Sequence, residues 1–176
     1  MPLSVINSTV SPKIIERLHE LQKVAATSEL NSKHAAAIYR GNKKIVEAVN
    51  NNRTKYGSQI KCCGHSEFEC IHQWLQLYKH KGKNWIRRTA KKLTIYVVKS
   101  RHYKQPNQSF KNTYYCDHGI SKPCENCTKE IKQLGIGKII YVNHKLQPVV
   151  CKTSSFHSSH KSTGNRTLEQ LQIRVQ

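Results

Sequence analysis

Two short motifs, set far apart in the sequence, place the strongest constraint on what this chain can fold into. The first is His-x-Glu at residues 65–67, and the second is Pro-Cys-x-x-Cys at residues 123–127. A structural zinc site normally closes all four positions with Cys or His, whereas three protein ligands leave one position for water. The motifs therefore favour a catalytic zinc site, with three candidate ligands and one free carboxylate: His65, Cys124, Cys127 and Glu67.

The spacing within each motif suits this chemistry. Cysteines at positions i and i+3 lie on one face of a helix, so Cys124 and Cys127 can bind one metal from a single turn. The N-terminus of a helix stabilises negative charge, which lowers the pKa of a thiol and favours the thiolate that zinc binds. Glu67 lies two residues from a ligand, where it can reach a water at the metal without binding the metal itself. That is the position of a general acid and base.

The order His-x-Glu followed by Pro-Cys-x-x-Cys resembles the signature of the zinc-dependent deaminases of the cytidine and deoxycytidylate (CMP/dCMP-type) superfamily. The resemblance extends from Lys33 to about Cys151. It implies a hydrolase that acts on the C–N bonds of cyclic amidines, with Zn²⁺ as cofactor. Within the superfamily, a histidine as first ligand is more similar to the deoxycytidylate, tRNA-adenosine and polynucleotide branches than to the free-cytidine branch.

The resemblance also implies roles for single residues. Glu67 would take a proton from the attacking water, deliver it to the ring nitrogen of the base and then protonate the departing ammonia. An asparagine at the end of the second strand would hold the base or the sugar, and from the run at residues 50–52 we choose Asn51. The alternative is that these asparagines form a turn, because their side chains bond readily to the local backbone.

We expect a three-layer α/β/α fold of the cytidine-deaminase type, built around a mixed sheet of about five strands. Apolar residues at helical spacing predict helices that begin near Ser11, His65 and Cys124. Apolar and β-branched runs predict strands at residues 34–39, 44–49, 93–98, 138–142 and 148–151. The fourth and fifth strands should be antiparallel, because about five residues join them and a parallel return needs a dozen or more.

The predicted domain spans residues 1–151, and a flexible basic tail is expected at 152–176, a stretch with few core-forming residues. Residues 79–92 are predicted to form a basic linker, in which Trp85 either anchors the linker to the domain or stacks on a base. Residues 99–122 depart from the usual family pattern. We expect them to form an inserted hairpin or a lid over the zinc pocket.

Charge leaves the size of the substrate open. The chain carries 30 Lys and Arg against 10 Asp and Glu, a formal net charge of +20, which attracts polyanions at low salt. Free nucleotides, RNA and DNA all qualify as partners, and a basic group could follow a phosphate backbone: Arg87, Arg88, Lys91 and Lys92. A cytosine-type nucleoside or nucleotide is the favoured substrate, and a polynucleotide with a cytosine or adenine base is the alternative. A zinc-stabilised nucleic-acid-binding protein without turnover is an alternative of another class.

The cysteines bear on the compartment and on a second metal site. Seven is an odd number and two fall in a metal motif, which argues against a secreted disulfide framework. The first ten residues lack the features of a signal peptide, and no apolar run approaches membrane-spanning length. We expect an intracellular protein of the cytoplasm or nucleus, without a membrane partner, and leave a homo-oligomer open. A second metal site could form from Cys62 or Cys63 with Cys116 and His118, and buried reduced thiols are the alternative.

Overall fold

The computed structural model describes residues 10–56, 59–61, 63–100 and 118–167, with the backbone alone at 59–60 and 118–119. Its helices, in chain order, are α1 (Pro12–Ala26), α2 (Ser66–Tyr78), α3 (Lys83–Ala90) and α4 (Glu125–Leu134). Its strands are β1 (His34–Arg40), β2 (Lys43–Val49), β3 (Lys55–Tyr56), β4 (Gln59–Ile60), β5 (Leu93–Ser100), β6 (His118–Gly119), β7 (Lys138–Val142) and β8 (Pro148–Lys152). A short 3₁₀ turn, Thr153–Ser155, follows β8.

The long strands form one mixed sheet in the order β2-β1-β5-β7-β8. β1 is antiparallel to both β2 and β5, whereas β5 and β7, which are separated in sequence by α4, are parallel. β7 and β8 are antiparallel, with Val142 opposite Pro148 and Lys138 opposite Lys152, which is the arrangement that their short connection allows. β3 and β4 pair only with each other.

Helices cover both faces of this sheet, which confirms the predicted three-layer α/β/α architecture. On one face, Leu18 and Leu21 of α1 pack against side chains such as Tyr96 of β5. On the other face, Trp74 of α2 and Ile131 of α4 pack against a second set of strand side chains that includes Ile38, Ile95 and Val97. β1 and β5 are therefore buried on both sides, and this explains why both strands are apolar along most of their length.

Residues 79–92 contain a helix, so the prediction of a basic linker is wrong. α3 places Trp85, Ile86, Thr89 and Ala90 towards the protein, and its Lys and Arg side chains face outwards. The Trp85 ring stacks on Trp74, with centroids 6.5 Å apart and planes 11° apart. Trp85 thus anchors this segment. The stripe of apolar residues is too short to stand out in a sequence dominated by positive charge.

Residues 152–167 do not form the flexible tail that their composition predicts. Phe156 is only 3% exposed and meets the edge of the Tyr141 ring at a centroid distance of 5.4 Å. Further along, the carbonyl of His160 accepts a hydrogen bond of 2.8 Å from the backbone N–H of Glu125, the first residue of α4. One aromatic side chain and a backbone hydrogen bond hold this polar segment, and average composition does not reveal either. Residues 168–176 lie outside the described part of the chain.

The predicted insertion at 99–122 is described only at its two ends. Ser100 lies opposite His118 and Lys99 lies opposite Gly119, so the chain returns to the point where it left β5. Its middle, residues 101–117, lies outside the described residues, and the expectation of a lid stays a prediction. Within the part of the chain that the structure describes, no helix is long and apolar enough to cross a membrane.

Candidate active site

The two sequence motifs meet where α2 and α4 begin. His65 immediately precedes α2 and Cys124 immediately precedes α4, each with an extended backbone, and Cys127 lies within the first turn of α4. The His65 Nδ1 atom is 3.2 Å from the Cys127 Sγ and 3.5 Å from the Cys124 Sγ. Ligand atoms of all three residues lie within 4.8 Å of one another, and no other such cluster is found among the described residues.

This donor set suits zinc. Two sulfur atoms and one imidazole nitrogen are among zinc's preferred ligands, whereas calcium and magnesium require oxygen. Zn–S and Zn–N bonds of about 2.3 and 2.1 Å place tetrahedral donor atoms roughly 3.6 Å apart. The observed separations of 3.2 and 3.5 Å between the His65 nitrogen and the two sulfur atoms are close to that value. The three side chains therefore need little rearrangement to hold such an ion.

The local electrostatics favour one thiolate before any metal binds. The hydrogen bond from Cys127, together with one from His65, lowers the pKa of Cys124 to about 4. Burial raises the pKa of Cys127 well above its ordinary value. Burial alone would lower the pKa of His65, but hydrogen bonds with Cys124 and Cys63 and the charge of Glu67 raise it to about 11. Negative charge is thus concentrated on Cys124, at the N-terminus of α4, where the helix dipole stabilises it.

Glu67 lies beside this cluster, in the first turn of α2. Its side chain is 5% exposed, and the Ser66 hydroxyl donates a hydrogen bond of 3.1 Å to its Oε2 atom. Burial raises the pKa of Glu67, although the nearby charge of His65 acts in the opposite direction. A buried carboxyl with a raised pKa holds a proton more readily than an exposed one, which suits a group that must take up a proton and pass it on, as a general acid and base does.

A cavity of about 670 Å³ opens beside the cluster. Its volume is in the range of pockets that bind small organic ligands. Its wall combines His65, Glu67 and Cys124 with residues from the α1–β1 loop, the ends of the strands and the C-terminal segment: Leu30, Ser32, His34, Asn50, Cys63, Ser66, Lys99, Ile120, Ser121, Lys122, His160, Ser162, Thr163 and Gly164. A small molecule in this cavity would have access to both the candidate metal site and Glu67.

The structure does not place Asn51 on the cavity wall, where the predicted substrate-binding residue should be. The neighbouring Asn50 lines the cavity instead, and its carboxamide is already held by Ser28, by the His34 N–H and by the Ser32 carbonyl. Asn51 points away from the cavity wall, because its Nδ2 donates to Glu69 at 3.0 Å and its Oδ1 accepts from the Arg53 N–H at 2.8 Å. Successive side chains at the end of a strand point to opposite faces, so the register of the strand decides whether Asn50 or Asn51 faces the cavity. The sequence does not fix that register.

Glu69 is a structural residue that sequence reasoning missed. It is 4% exposed and accepts hydrogen bonds from Asn51 and from the Tyr56 hydroxyl. Asn51 in turn exchanges two backbone hydrogen bonds with Gly64, of 2.8 and 3.0 Å, and Gly64 directly precedes His65. A Cβ atom on Gly64 would lie 2.2 Å from the Asn51 Oδ1, so only glycine permits this approach. These four residues, Asn51, Tyr56, Gly64 and Glu69, hold the backbone just before the first motif in place, and we call them the clasp.

The predicted second metal site is outside what the structure describes. Cys62 and Cys116 are not among the described residues, and only the backbone of His118 is. Cys63 is described: it is half-buried, lines the cavity and forms a hydrogen bond with His65. Cys63 therefore lies next to the first candidate metal site.

No protein-family model matches the chain, and no curated protein does either. Among solved structures it is similar to a cytidine deaminase from Burkholderia pseudomallei, with 20% identity, a TM-score of 0.48, and coverage of 79% of this chain and 92% of that one. A dCMP deaminase from the cyanophage S-TIM5 in apo form shows 14% identity, a TM-score of 0.43, and coverage of 92% and 94%. The same phage enzyme in complex with dCMP and dUMP shows 12% identity, a TM-score of 0.41, and coverage of 74% and 81%. All three are structures of cytidine or dCMP deaminases.

Proposed function

We propose that this protein is a zinc-dependent hydrolytic deaminase that acts on the exocyclic amine of a cytosine-type nucleoside or nucleotide. One observation carries the proposal. His65, Cys124 and Cys127 place one nitrogen and two sulfur atoms within 4.8 Å of one another, and the buried carboxyl of Glu67 lines the same cavity. This arrangement supplies three ligands, an open coordination position and an independent proton carrier, which hydrolysis at a metal centre requires.

Zinc, when bound, supplies a Lewis acid that makes hydroxide available near neutral pH. Glu67 accepts a proton from the attacking water and delivers it to the ring nitrogen. It then takes the second proton from the hydroxyl that has added to the base and passes it to the amine, so that the C–N bond breaks, the carbonyl forms and ammonia leaves. Burial raises the pKa of Glu67, which favours the protonated form that has to donate to the ring nitrogen and to the leaving amine.

The direct test compares ammonia release by the wild type and by Glu67→Gln. Glutamine keeps the shape of the side chain but cannot carry the proton, so turnover should fall by 100-fold or more while bound zinc stays at one ion per chain. Substrates should include cytidine, deoxycytidine, their monophosphates, adenosine, and single-stranded DNA and RNA. Glu16→Gln is the matched control, because Glu16 is exposed on α1, which covers the opposite face of the sheet from α2.

Metal content tests the zinc site, and the binding and ammonia assays separate the proposed enzyme from the other candidate functions. A Cys124→Ala, Cys127→Ala double variant should lose its zinc, and unchanged zinc content would refute the site. Nucleic-acid binding that survives Glu67→Gln, with no ammonia from any substrate in the wild type, would favour the non-catalytic alternative. Deamination of an oligonucleotide, with all free nucleosides and nucleotides untouched, would favour the polynucleotide alternative.

A further inference from the structure

The cavity wall carries an excess of positively charged side chains. It includes two lysines, Lys99 and Lys122, against a single carboxylate, Glu67, and the imidazole of His160 lies on the same wall. Within the described residues, no Asp or Glu forms an ion pair with either lysine. An ammonium group left without a carboxylate at a concave surface attracts anions, because the low-dielectric walls concentrate its field.

Each of these groups is held by a different part of the fold. Lys99 is half-buried near the end of β5, directly across from His34 of β1. Lys122 lies just before the second motif, and its Nζ is 5.6 Å from the centre of the Phe156 ring. His160 belongs to the C-terminal segment, whose backbone is tied to the start of α4 by the hydrogen bond to Glu125. Three separate elements thus converge on one cavity.

Hydroxyl groups accompany the cations. Ser162 and Thr163 follow His160 on the cavity wall, and Ser32 lines it from the loop before β1. Lysine binds phosphate as a point charge, and serine and threonine hydroxyls donate hydrogen bonds to phosphate oxygens. The combination of lysines, a histidine and hydroxyls is therefore suited to a phosphate group more than to a neutral sugar alone.

A second basic group lies at the end of α3 and just after it, and we call it the basic surface of α3: Arg87, Arg88, Lys91 and Lys92. It is not part of the cavity wall. Lys91 and Lys92 precede β5, whereas Lys99 lies near its far end, and seven residues of strand span about 23 Å. A mononucleotide in the cavity cannot reach α3, and α3 cannot account for the positive wall.

We propose that Lys99, Lys122 and His160 bind the phosphate of a mononucleotide, so that the substrate of this site is a nucleoside monophosphate. The proposal rests on the proposed function, since it takes the base to occupy the same cavity beside Glu67. In this proposal the C-terminal segment contributes to phosphate binding, because it supplies His160, Ser162 and Thr163 to the cavity wall.

Calorimetric binding to the full-length, zinc-loaded chain carrying Glu67→Gln tests the proposal without turnover. The probes are cytidine, deoxycytidine, their 5′-monophosphates, and a short single-stranded oligonucleotide. The monophosphates should bind at least tenfold more tightly than the nucleosides. Lys99→Gln and Lys122→Gln should each weaken monophosphate binding by about tenfold, the effect of one lost charge-assisted hydrogen bond, and His160→Gln by about threefold.

Lys138→Gln is the matched control, because Lys138 is exposed at the start of β7, where it pairs with the start of β5, and it should change neither affinity. Equal affinity for nucleosides and monophosphates would overturn the proposal, as would a preference that survives the Lys99→Gln, Lys122→Gln double variant. Tight binding of the oligonucleotide alone would overturn it too. Phosphate-dependent binding without ammonia release by the wild type would refute the proposed function but not the phosphate site. Turnover of nucleosides without a preference for monophosphates would refute the phosphate site but not the proposed function.

Discussion

Glu69 shows how one buried side chain can support the first motif from outside the cavity. It accepts hydrogen bonds from Asn51 and Tyr56, and Arg53 lies 3.8 Å from its other oxygen. The hydrogen bond to Glu69 and burial both raise the pKa of Tyr56, so the phenol stays protonated as the donor. Through Asn51 and Gly64, this carboxylate fixes the path of the backbone into His65.

We expect Glu69→Ala to lower the free energy of unfolding by about 3 kcal/mol, because it leaves the buried Tyr56 hydroxyl and the half-buried Asn51 amide without this acceptor. Glu47→Ala is the matched control: Glu47 forms an exposed ion pair with Lys44, and its loss should cost less than about 1 kcal/mol. Urea unfolding of zinc-loaded protein measures both. Equal losses in the two variants would show that the clasp does not stabilise the fold.

At the scale of secondary-structure elements, the C-terminal segment, residues 152–167, differs most from its prediction. Its composition predicts a flexible tail, and the structure packs it against the domain. It is anchored by Phe156 in the core cluster beneath α4 and β7, and it returns to line the cavity. A segment with one buried anchor depends strongly on that anchor. The hydrogen bond between the His160 carbonyl and the Glu125 N–H is a second attachment of this segment.

Phe156→Ala should therefore lower the free energy of unfolding by about 3 kcal/mol and release the segment. Limited proteolysis with trypsin should then cut at Lys161 or Arg166 faster than in the wild type, because a released chain fits a protease more readily. Val150→Ala, at a side chain that is 43% exposed on β8, should change stability by less than about 0.5 kcal/mol. If the proteolysis rate and the free energy of unfolding are unchanged in Phe156→Ala, Phe156 does not attach this segment to the domain.

At the scale of the whole molecule, two groups among the 30 Lys and Arg residues have different expected effects. One group lines the cavity, and the other projects from α3 at the other end of β5. Charge on an open helical surface attracts any polyanion, whereas charge on a cavity wall selects a small anion. The two groups can be tested separately because about 23 Å of strand separates them.

Replacing the four cations of this surface with glutamine should flatten the salt dependence of oligonucleotide binding: Arg87, Arg88, Lys91 and Lys92. Each lost phosphate contact removes about 0.7 from the slope of log K against log salt for a single strand, so the full change is at most about 3. Mononucleotide binding should stay within twofold of the wild type. Fluorescence anisotropy over a salt series measures both quantities, and a matching loss of mononucleotide affinity would show that α3 contributes to the cavity.

The sequence alone determined the features that depend on neighbouring residues. Spacing of three places Cys124 and Cys127 on one turn, apolar periodicity sets α1, α2 and α4, and the short connection after β7 requires an antiparallel β8. Local geometry is sufficient for each of these. The helix α3 was missed because its apolar stripe is brief and its charge is dominant.

Only the tertiary structure decided the features that join distant residues. It chose Asn50 over Asn51 for the cavity wall, buried Glu69 beneath Asn51 and Tyr56, and brought the segment around His160 beside Lys99 and Lys122. None of these contacts has a period or a spacing that could be recognised in the sequence. They form because packing the helices on both faces of the sheet brings segments that are distant in sequence into contact. The identity of each neighbour depends on strand register and on the path of the intervening chain.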